Sequence, residues 1–90
     1  MYYVSALISN VDNQFYVGFT NDLKMRMDAH AKGKVESTRN RRPLKLVYYE
    51  ACLERNDALR REKYLKTTWG KRYLRSRIRY HINKTGDLTG

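Results

Sequence analysis

A carboxylate interrupts the apolar stripe of a predicted helix over roughly residues 54–68. Ala58, Leu65 and Trp69 fall on one side of that helix, and Glu62 falls with them. A charge on a buried face is costly unless it is paired or holds a metal. Two uses fit Glu62: a salt bridge to Arg26 or another basic neighbour, or a magnesium site, since Mg²⁺ keeps most of its waters and takes only one or two protein carboxylates. The second use suits phosphodiester hydrolysis, and the chain carries other residue types for that chemistry. Tyr16 shares a strand face with Gly18, which leaves room for a phosphate or metal to approach the backbone. A phenol, with its reference pKa of ~10, acts as a base only beside positive charge or a metal-bound water; otherwise Tyr16 is a packing residue. Arg26 borders the buried stripe of another helix, where a guanidinium either grips a phosphate through two parallel hydrogen bonds or is simply solvated. His30 follows one turn later on the same edge, placed to bond a phosphate, relay a proton or serve as a structural histidine.

The elements that must position these groups are legible in the hydrophobic pattern. Residues 2–8 and 14–19 are rich in Tyr, Val, Ile and Phe, and Ser9-Asn10-Val11-Asp12-Asn13 between them is turn chemistry, so a β-hairpin is predicted. Alternation puts Val4, Ala6 and Ile8 on one face of the first strand and Phe15, Val17 and Phe19 on one face of the second; Tyr3, Ser5, Tyr16 and Gly18 take the other. Thr20 or Asn21 can cap a helix to about Ala31 with Leu23, Met27 and Ala31 as its buried stripe, ended by Gly33. Residues 32–43 are basic and poor in apolar side chains, which predicts an exposed loop, and Leu44–Tyr49 reads as a third strand. After the helix of residues 54–68, Trp69-Gly70 is expected to break the chain before a last basic helix from Lys71 to about Ile82. The order β-β-α-β-α-α predicts an α+β fold, a small three-stranded antiparallel sheet flanked by helices, with residues 1–82 as one domain and residues 83–90 as a flexible tail.

Composition narrows the class of partner. Ninety residues support one small core. Nineteen Lys and Arg against nine Asp and Glu leave a net charge of +10, which favours polyanions through phosphate neutralisation and counterion release. An anionic membrane is the rival partner, but no apolar run approaches the ~20 residues of a spanning helix, and charged and polar residues break up the N-terminus before any signal peptide could form. Cys52, the single cysteine, excludes an internal disulfide and a cysteine-cluster metal site, so an intracellular, cytoplasmic protein is expected.

Ten residues separate Tyr3-Val4-Ser5 from Tyr16-Val17-Gly18, with Arg26 and His30 on the following helix and Glu62 on a later one. This layout, from Tyr2 to about Trp69, resembles the GIY-YIG nuclease superfamily and most of all its small stand-alone bacterial-type members. The segment Arg61-Glu62-Lys63-Tyr64-Leu65-Lys66 matches the family segment that carries its metal-binding glutamate, and Ser37 through Glu50 resembles the corresponding stretch of the stand-alone proteins. The resemblance implies a Mg²⁺-dependent endonuclease, with Mn²⁺ as a substitute, in which Glu62 holds the metal, Tyr16 helps deprotonate the attacking water and Arg26 stabilises the transition state. It departs at Ser5, where the relatives usually have tyrosine, and at Phe19, where the repair-nuclease branch carries lysine. Ser5 cannot supply a phenol, although its hydroxyl could bind phosphate or water, and Tyr3, two residues away on the same strand face, is a substitute at a longer interval.

Arg39, Arg41, Arg42 and Lys45 suit backbone contacts that position a nucleic acid without reading its sequence. DNA is the expected partner, with RNA, oligomeric state and a setting such as DNA repair or recombination left open, and no small-molecule cofactor is expected. A domain this small has little surface for reading a long sequence, so cutting should be structure-specific or nonspecific. The alternative is a nucleic-acid-binding module that keeps the fold and charge but has lost turnover through Ser5.

Overall fold

The apolar alternation of the two N-terminal runs builds the sheet. In the computed structural model, which describes residues 1–85, β1 (Tyr2–Ser9) is the central strand, pairing antiparallel with β2 (Phe15–Thr20) on one side and β3 (Leu44–Cys52) on the other. Val4 lies opposite Phe19, Ala6 opposite Val17 and Ile8 opposite Phe15, as the alternation requires. On this face Val4, Ala6, Ile8 and Phe15 pack with Ala58, Leu65, Leu74 and Ile78 from the C-terminal helices. Each of the Val, Leu, Ile and Phe side chains among them contributes about 1.5–3 kcal/mol relative to exposure. The other face of the sheet, bearing Tyr3, Ser5, Tyr16 and Gly18, carries α1 (Leu23–Ala31). This is an α+β fold with four helices, the last two being α3 (Thr68–Arg77) and α4 (Arg79–Thr85).

Several boundaries differ from expectation for identifiable reasons. The strand expected to stop at Tyr49 runs on to Cys52, with Glu50 paired to Val4 in register. A charged residue looked like an end, but Arg61 of α2 (Arg55–Leu65) grips Glu50 through Nε at 2.8 Å and Nη2 at 3.1 Å, and Tyr48 donates to it at 2.8 Å. Burial alone would raise the Glu50 carboxyl, yet Arg61 and Tyr48 outweigh it and hold the group below its ordinary value. Burial and the same bond push the Tyr48 phenol up to about 12.

In α1 the cap is Asp22, which accepts from the Met25 N–H at 3.0 Å, rather than Thr20 or Asn21. The expected stripe is only partly covered. Leu23 and Met27 are half-buried and Ala31 is exposed, whereas His30 is the buried residue. Gly33, with φ +74°, ends the helix in the left-handed conformation as expected. Residues 83–85 form the last turn of α4, and the remainder of the tail expected over 83–90 lies outside the described residues.

The chain break expected at Trp69-Gly70 falls earlier, at Lys66-Thr67. Thr67 caps α3 by accepting from the Gly70 N–H at 3.1 Å and donates to the Tyr64 carbonyl at 2.6 Å. Trp69 therefore starts a new helix and leaves the apolar stripe: it is 67% exposed, with the Arg72 guanidinium 5.0 Å over its ring. Gly70 is fixed by proximity, because a Cβ there would collide with the Tyr64 carbonyl oxygen and the Leu65 Cα. Gly70→Ala should open this helix corner and destabilise the domain by about 1–3 kcal/mol, a loss expected of overpacking. Urea unfolding of the two proteins measures it, and an unchanged midpoint would show that the corner is not held by this contact.

Candidate active site

Tyr16 points from β2 toward the hairpin turn, where its hydroxyl donates to Asp12 Oδ2 at 2.6 Å. Arg41 Nε donates to the same phenolic oxygen at 3.0 Å and lies 3.2 Å from Asp12 Oδ2. The turn is built to hold this arrangement. Asp12 Oδ1 accepts from the Gln14 N–H at 2.9 Å, Asn13 adopts φ 56°, and Ser9 Oγ accepts from the Val11 N–H while donating to the Arg41 carbonyl at 2.6 Å. That last bond ties a 3-10 turn at Arg39–Arg41 to the buried end of β1. The bond to Asp12, followed by burial, raises the Tyr16 phenol above its ordinary value despite Arg41, and the bond from Tyr16 holds the Asp12 carboxyl down. Positive charge does stand beside Tyr16, but the adjacent carboxylate outweighs it and Tyr16 is a neutral phenol at neutral pH.

Two residues along β2 lies Gly18. The Arg26 side chain covers it, with Nη2 only 3.9 Å from where a Cβ would be. The Arg26 Nε is buried and finds no hydrogen-bond partner among the described residues. An unsatisfied buried N–H costs on the order of 1–3 kcal/mol. Ser5 sits between Gly18 on β2 and Tyr49 on β3 and is only 1% exposed, which closes its hydroxyl to phosphate or water in this conformation. Tyr3 lies opposite Thr20, toward the start of α1, and its ring meets Tyr49 edge-on at 6.2 Å. Tyr16 is opposite Leu7, so Tyr3 and Tyr16 sit about 13 Å apart along the sheet at ~3.3 Å per residue and do not share a pocket. Tyr3 instead lines a groove of about 610 Å³ with Tyr49, Leu46, Leu23, Met27 and Lys24.

His30 is buried, and its Nδ1 forms a 2.7 Å hydrogen bond with Thr38, itself only 2% exposed. This pair pins α1 to the basic loop, which is thus not wholly exposed as its composition suggests. Burial, then the charge of Arg26, lowers the His30 pKa and keeps the ring neutral. Arg42 folds back on the end of α1, donating to the Ala31 carbonyl at 3.4 Å and the Arg39 carbonyl at 3.0 Å. Arg39 is exposed on the 3-10 turn and Lys45 is exposed at the start of β3.

Glu62 comes from the opposite face of the sheet, since α2 covers the core. Arg55 of this helix lies over the Phe19 ring of β2 at 5.6 Å, and Glu62, two turns later, shares that flank. Arg61 faces β3 instead. Glu62 therefore lies on the side of α2 nearest the β2 edge, 21% exposed, and pairs with Lys66 at 3.3 Å rather than with Arg26. The paired carboxylate among the alternatives is thus present, but its partner is an exposed lysine one turn away, a contact of small strength that another cation can displace.

The fold thus places a tyrosine and a glycine on an edge strand, a helix arginine over that glycine, and a helix carboxylate on the flank of α2 toward the same edge. The family model for the GIY-YIG catalytic domain matches residues 1–73, and the chain belongs to the GIY-YIG family, whose catalytic domain is a nuclease domain. Among similar proteins, a UPF0213 protein of Limosilactobacillus reuteri is 41% identical over 68 residues, covering 72% of this chain and 70% of its own. One from Lacticaseibacillus paracasei is 39% identical over 66 residues, covering 72% and 73%. The solution NMR structure of a UPF0213 protein from Bacillus halodurans superposes with a TM-score of 0.54 at 35% identity, covering 84% of each chain.

Sequence patterns alone did not single out Asp12, Thr38 or Tyr49. Asp12 at four residues before Tyr16 was a usable signal, but its turn context pointed only to backbone capping. The neutral, buried His30 has a consequence for stability. Its lowered pKa means that the unfolded chain binds the proton first, so stability should decline as pH falls below about 6.5. Denaturation midpoints at pH 7 and pH 5 should differ less in His30→Gln than in the wild type; equal differences would remove His30 as the cause.

Proposed function

We propose that the protein is a metal-dependent endonuclease that hydrolyses DNA phosphodiester bonds, with Mg²⁺ as the working ion and Mn²⁺ as a substitute. The observation that carries this reading is the Arg26 side chain, whose Nη2 lies over Gly18 and whose buried Nε finds no partner among the described residues. It is a guanidinium with an unmet need for an acceptor, at a point where the strand has no side chain to obstruct one.

The donor set suits a hard ion that keeps its waters. Among the described residues no group of three or more His, Cys, Asp or Glu side chains is arranged to hold a metal, so a closed protein cage is not the mode of binding. Glu62, a single and loosely paired carboxylate, is the donor that would fit Mg²⁺, which keeps most of its waters. A bound ion would supply Lewis-acid stabilisation of the phosphoryl oxygens. The chain's own groups do the rest. Arg26 binds the scissile phosphate and opposes the charge that grows as phosphorus becomes five-coordinate. Tyr16 orients the attacking water and takes its proton. His30 acts from within the protein, holding α1 against the basic loop through Thr38. The exposed Arg39 and Lys45, with the overall charge of +10, draw the phosphate backbone to this surface. With so little surface, cutting is structure-specific or nonspecific.

One observation favours the second reading, a binding module without turnover: Ser5 is sealed in the sheet and offers no group to a substrate. The two readings separate in one assay. Labelled single-stranded, duplex, flap and four-way-junction DNA is incubated with Mg²⁺ or Mn²⁺ and wild type, Tyr16→Phe or Glu62→Ala, with binding read in the same samples. Metal-dependent cleavage by the wild type is expected, with each variant slowed by about 10²–10⁴-fold, as for loss of a proton-transfer or metal-holding group, and binding little changed. Tight binding without cleavage, equal in all three proteins, would establish the binding module instead.

A further inference from the structure

Resting on the nuclease reading, we propose that Asp12 is the terminal acceptor of the proton that Tyr16 takes from the attacking water. A phenol that only accepts a proton becomes a cation, and one that must ionise first is scarce at neutral pH. Neither difficulty arises if the phenol passes its own proton onward as it receives another. Tyr16 is already bonded for such a transfer: its O–H is directed at Asp12 Oδ2 over 2.6 Å. The attacking water takes the acceptor position on the phenolic oxygen that Arg41 Nε fills at 3.0 Å at rest, while Arg41 keeps its contact with Asp12.

The acceptor is held still. Asp12 Oδ1 is fixed by the Gln14 N–H, and Oδ2 is shared between the Tyr16 hydroxyl and Arg41 Nε. Arg41 is anchored through its backbone carbonyl to Ser9 and touches both the phenolic oxygen and the carboxylate, so its charge spans the path of the proton. The charged and titratable groups facing this pair are Tyr16 from β2 and Arg41 from the 3-10 turn, with the Ser9 hydroxyl alongside from β1. The balance of the step is simple. The water oxygen forms a bond to phosphorus as one of its O–H bonds breaks and that proton joins Tyr16 Oη. The original Oη–H bond breaks and its proton joins Asp12 Oδ2. The phosphorus–oxygen ester bond breaks, its electron pair leaves with the alkoxide, and the alkoxide takes a proton from solvent. Tyr16 is neutral before and after; Asp12 later returns its proton to solvent. The bond between the two groups lowers the Asp12 carboxyl and raises the Tyr16 phenol, so at rest Asp12 is ionised and Tyr16 holds its proton.

Asp12→Asn tests the relay, because the amide oxygen can still accept the Tyr16 hydrogen bond but cannot take the proton. Cleavage rates are measured from pH 6 to 9 for wild type, Asp12→Asn, Tyr16→Phe and the double variant. Asp12→Asn should be slower by about 100-fold or more at pH 7. Its deficit relative to wild type should shrink by up to about tenfold per pH unit as the phenol becomes able to ionise on its own. The double variant should be no slower than Tyr16→Phe, since the two residues act as one unit. A purely structural Asp12 would give a deficit that is constant with pH, and that result, or an Asp12→Asn enzyme as fast as wild type, overturns the proposal while leaving the nuclease reading intact. The ¹³C NMR titration of labelled tyrosine gives a readout without turnover: the Tyr16 phenol should titrate at lower pH in Asp12→Asn. A wild type that cleaves nothing with either ion would overturn the nuclease reading, and the relay with it, even if that titration moves.

Discussion

Every functional element is referenced to the central strand, and β1 can be central only because both of its faces are covered. Val4 through Ser9 are all buried. Val4, Ala6 and Ile8 anchor the core against the C-terminal helices, and the alternate residues Ser5, Leu7 and Ser9 face the side that carries α1 and the basic loop. A strand buried on both faces permits no slip in register, since a shift of one residue would exchange its two sets of side chains. That constraint fixes Gly18 beside Ser5 and Tyr16 beside Leu7, and through the Ser9 hydroxyl it also fixes the 3-10 turn that carries Arg41. The candidate chemistry occupies β2, an edge strand, but its precision comes from the strand next to it.

Charge is distributed with the same economy. Most of the acidic side chains with visible partners answer particular cations: Glu50 to Arg61, Glu62 to Lys66, Asp28 to Lys32 and Asp12 to Arg41. Exposed cations such as Arg39 would act on a polyanion through an interaction of long range and little geometry. Geometry is supplied by the few cations held in place. Arg41 is committed to Tyr16 and Asp12, Arg42 to the end of α1, and Arg26 to the cover of Gly18. The basic loop, read from composition as a substrate-holding surface, is thus partly committed to contacts within the domain.

The sheet faces were legible because period-2 alternation is a direct record of which side chains are covered. The order of elements held as far as α2, but the single last helix expected from Lys71 to about Ile82 is two, α3 and α4, parted at Ile78. Arg26 was legible only as a residue at the border of the stripe of α1, and its place over Gly18 is a finding of the structure. What escaped were two features fixed by contacts eight or more residues apart and one fixed by a local helix cap. Glu50 reads as the end of a strand until Arg61, eleven residues away, is known to meet it. Trp69 reads as core until Thr67 is seen to start a new helix under it. His30 and Thr38 read as a possible ligand and a loop residue, and become a buried pair only when α1 and the loop pack together.

The departure at Ser5 has a limited reach. A residue in the middle of a sheet influences its cross-strand neighbours first, and those of Ser5 are Gly18 and Tyr49. Neither the hydrogen bonds around Tyr16 nor the flank of α2 that bears Glu62 includes position 5. With glycine and serine adjacent on β2 and β1 and tyrosine next on β3, the row Gly18–Ser5–Tyr49 is low at the edge and high at the far strand. The Arg26 side chain lies over its low end. Serine at position 5 therefore costs the sheet a phenol in this row but leaves the Arg26 side chain against Gly18, with its buried Nε without a partner among the described residues.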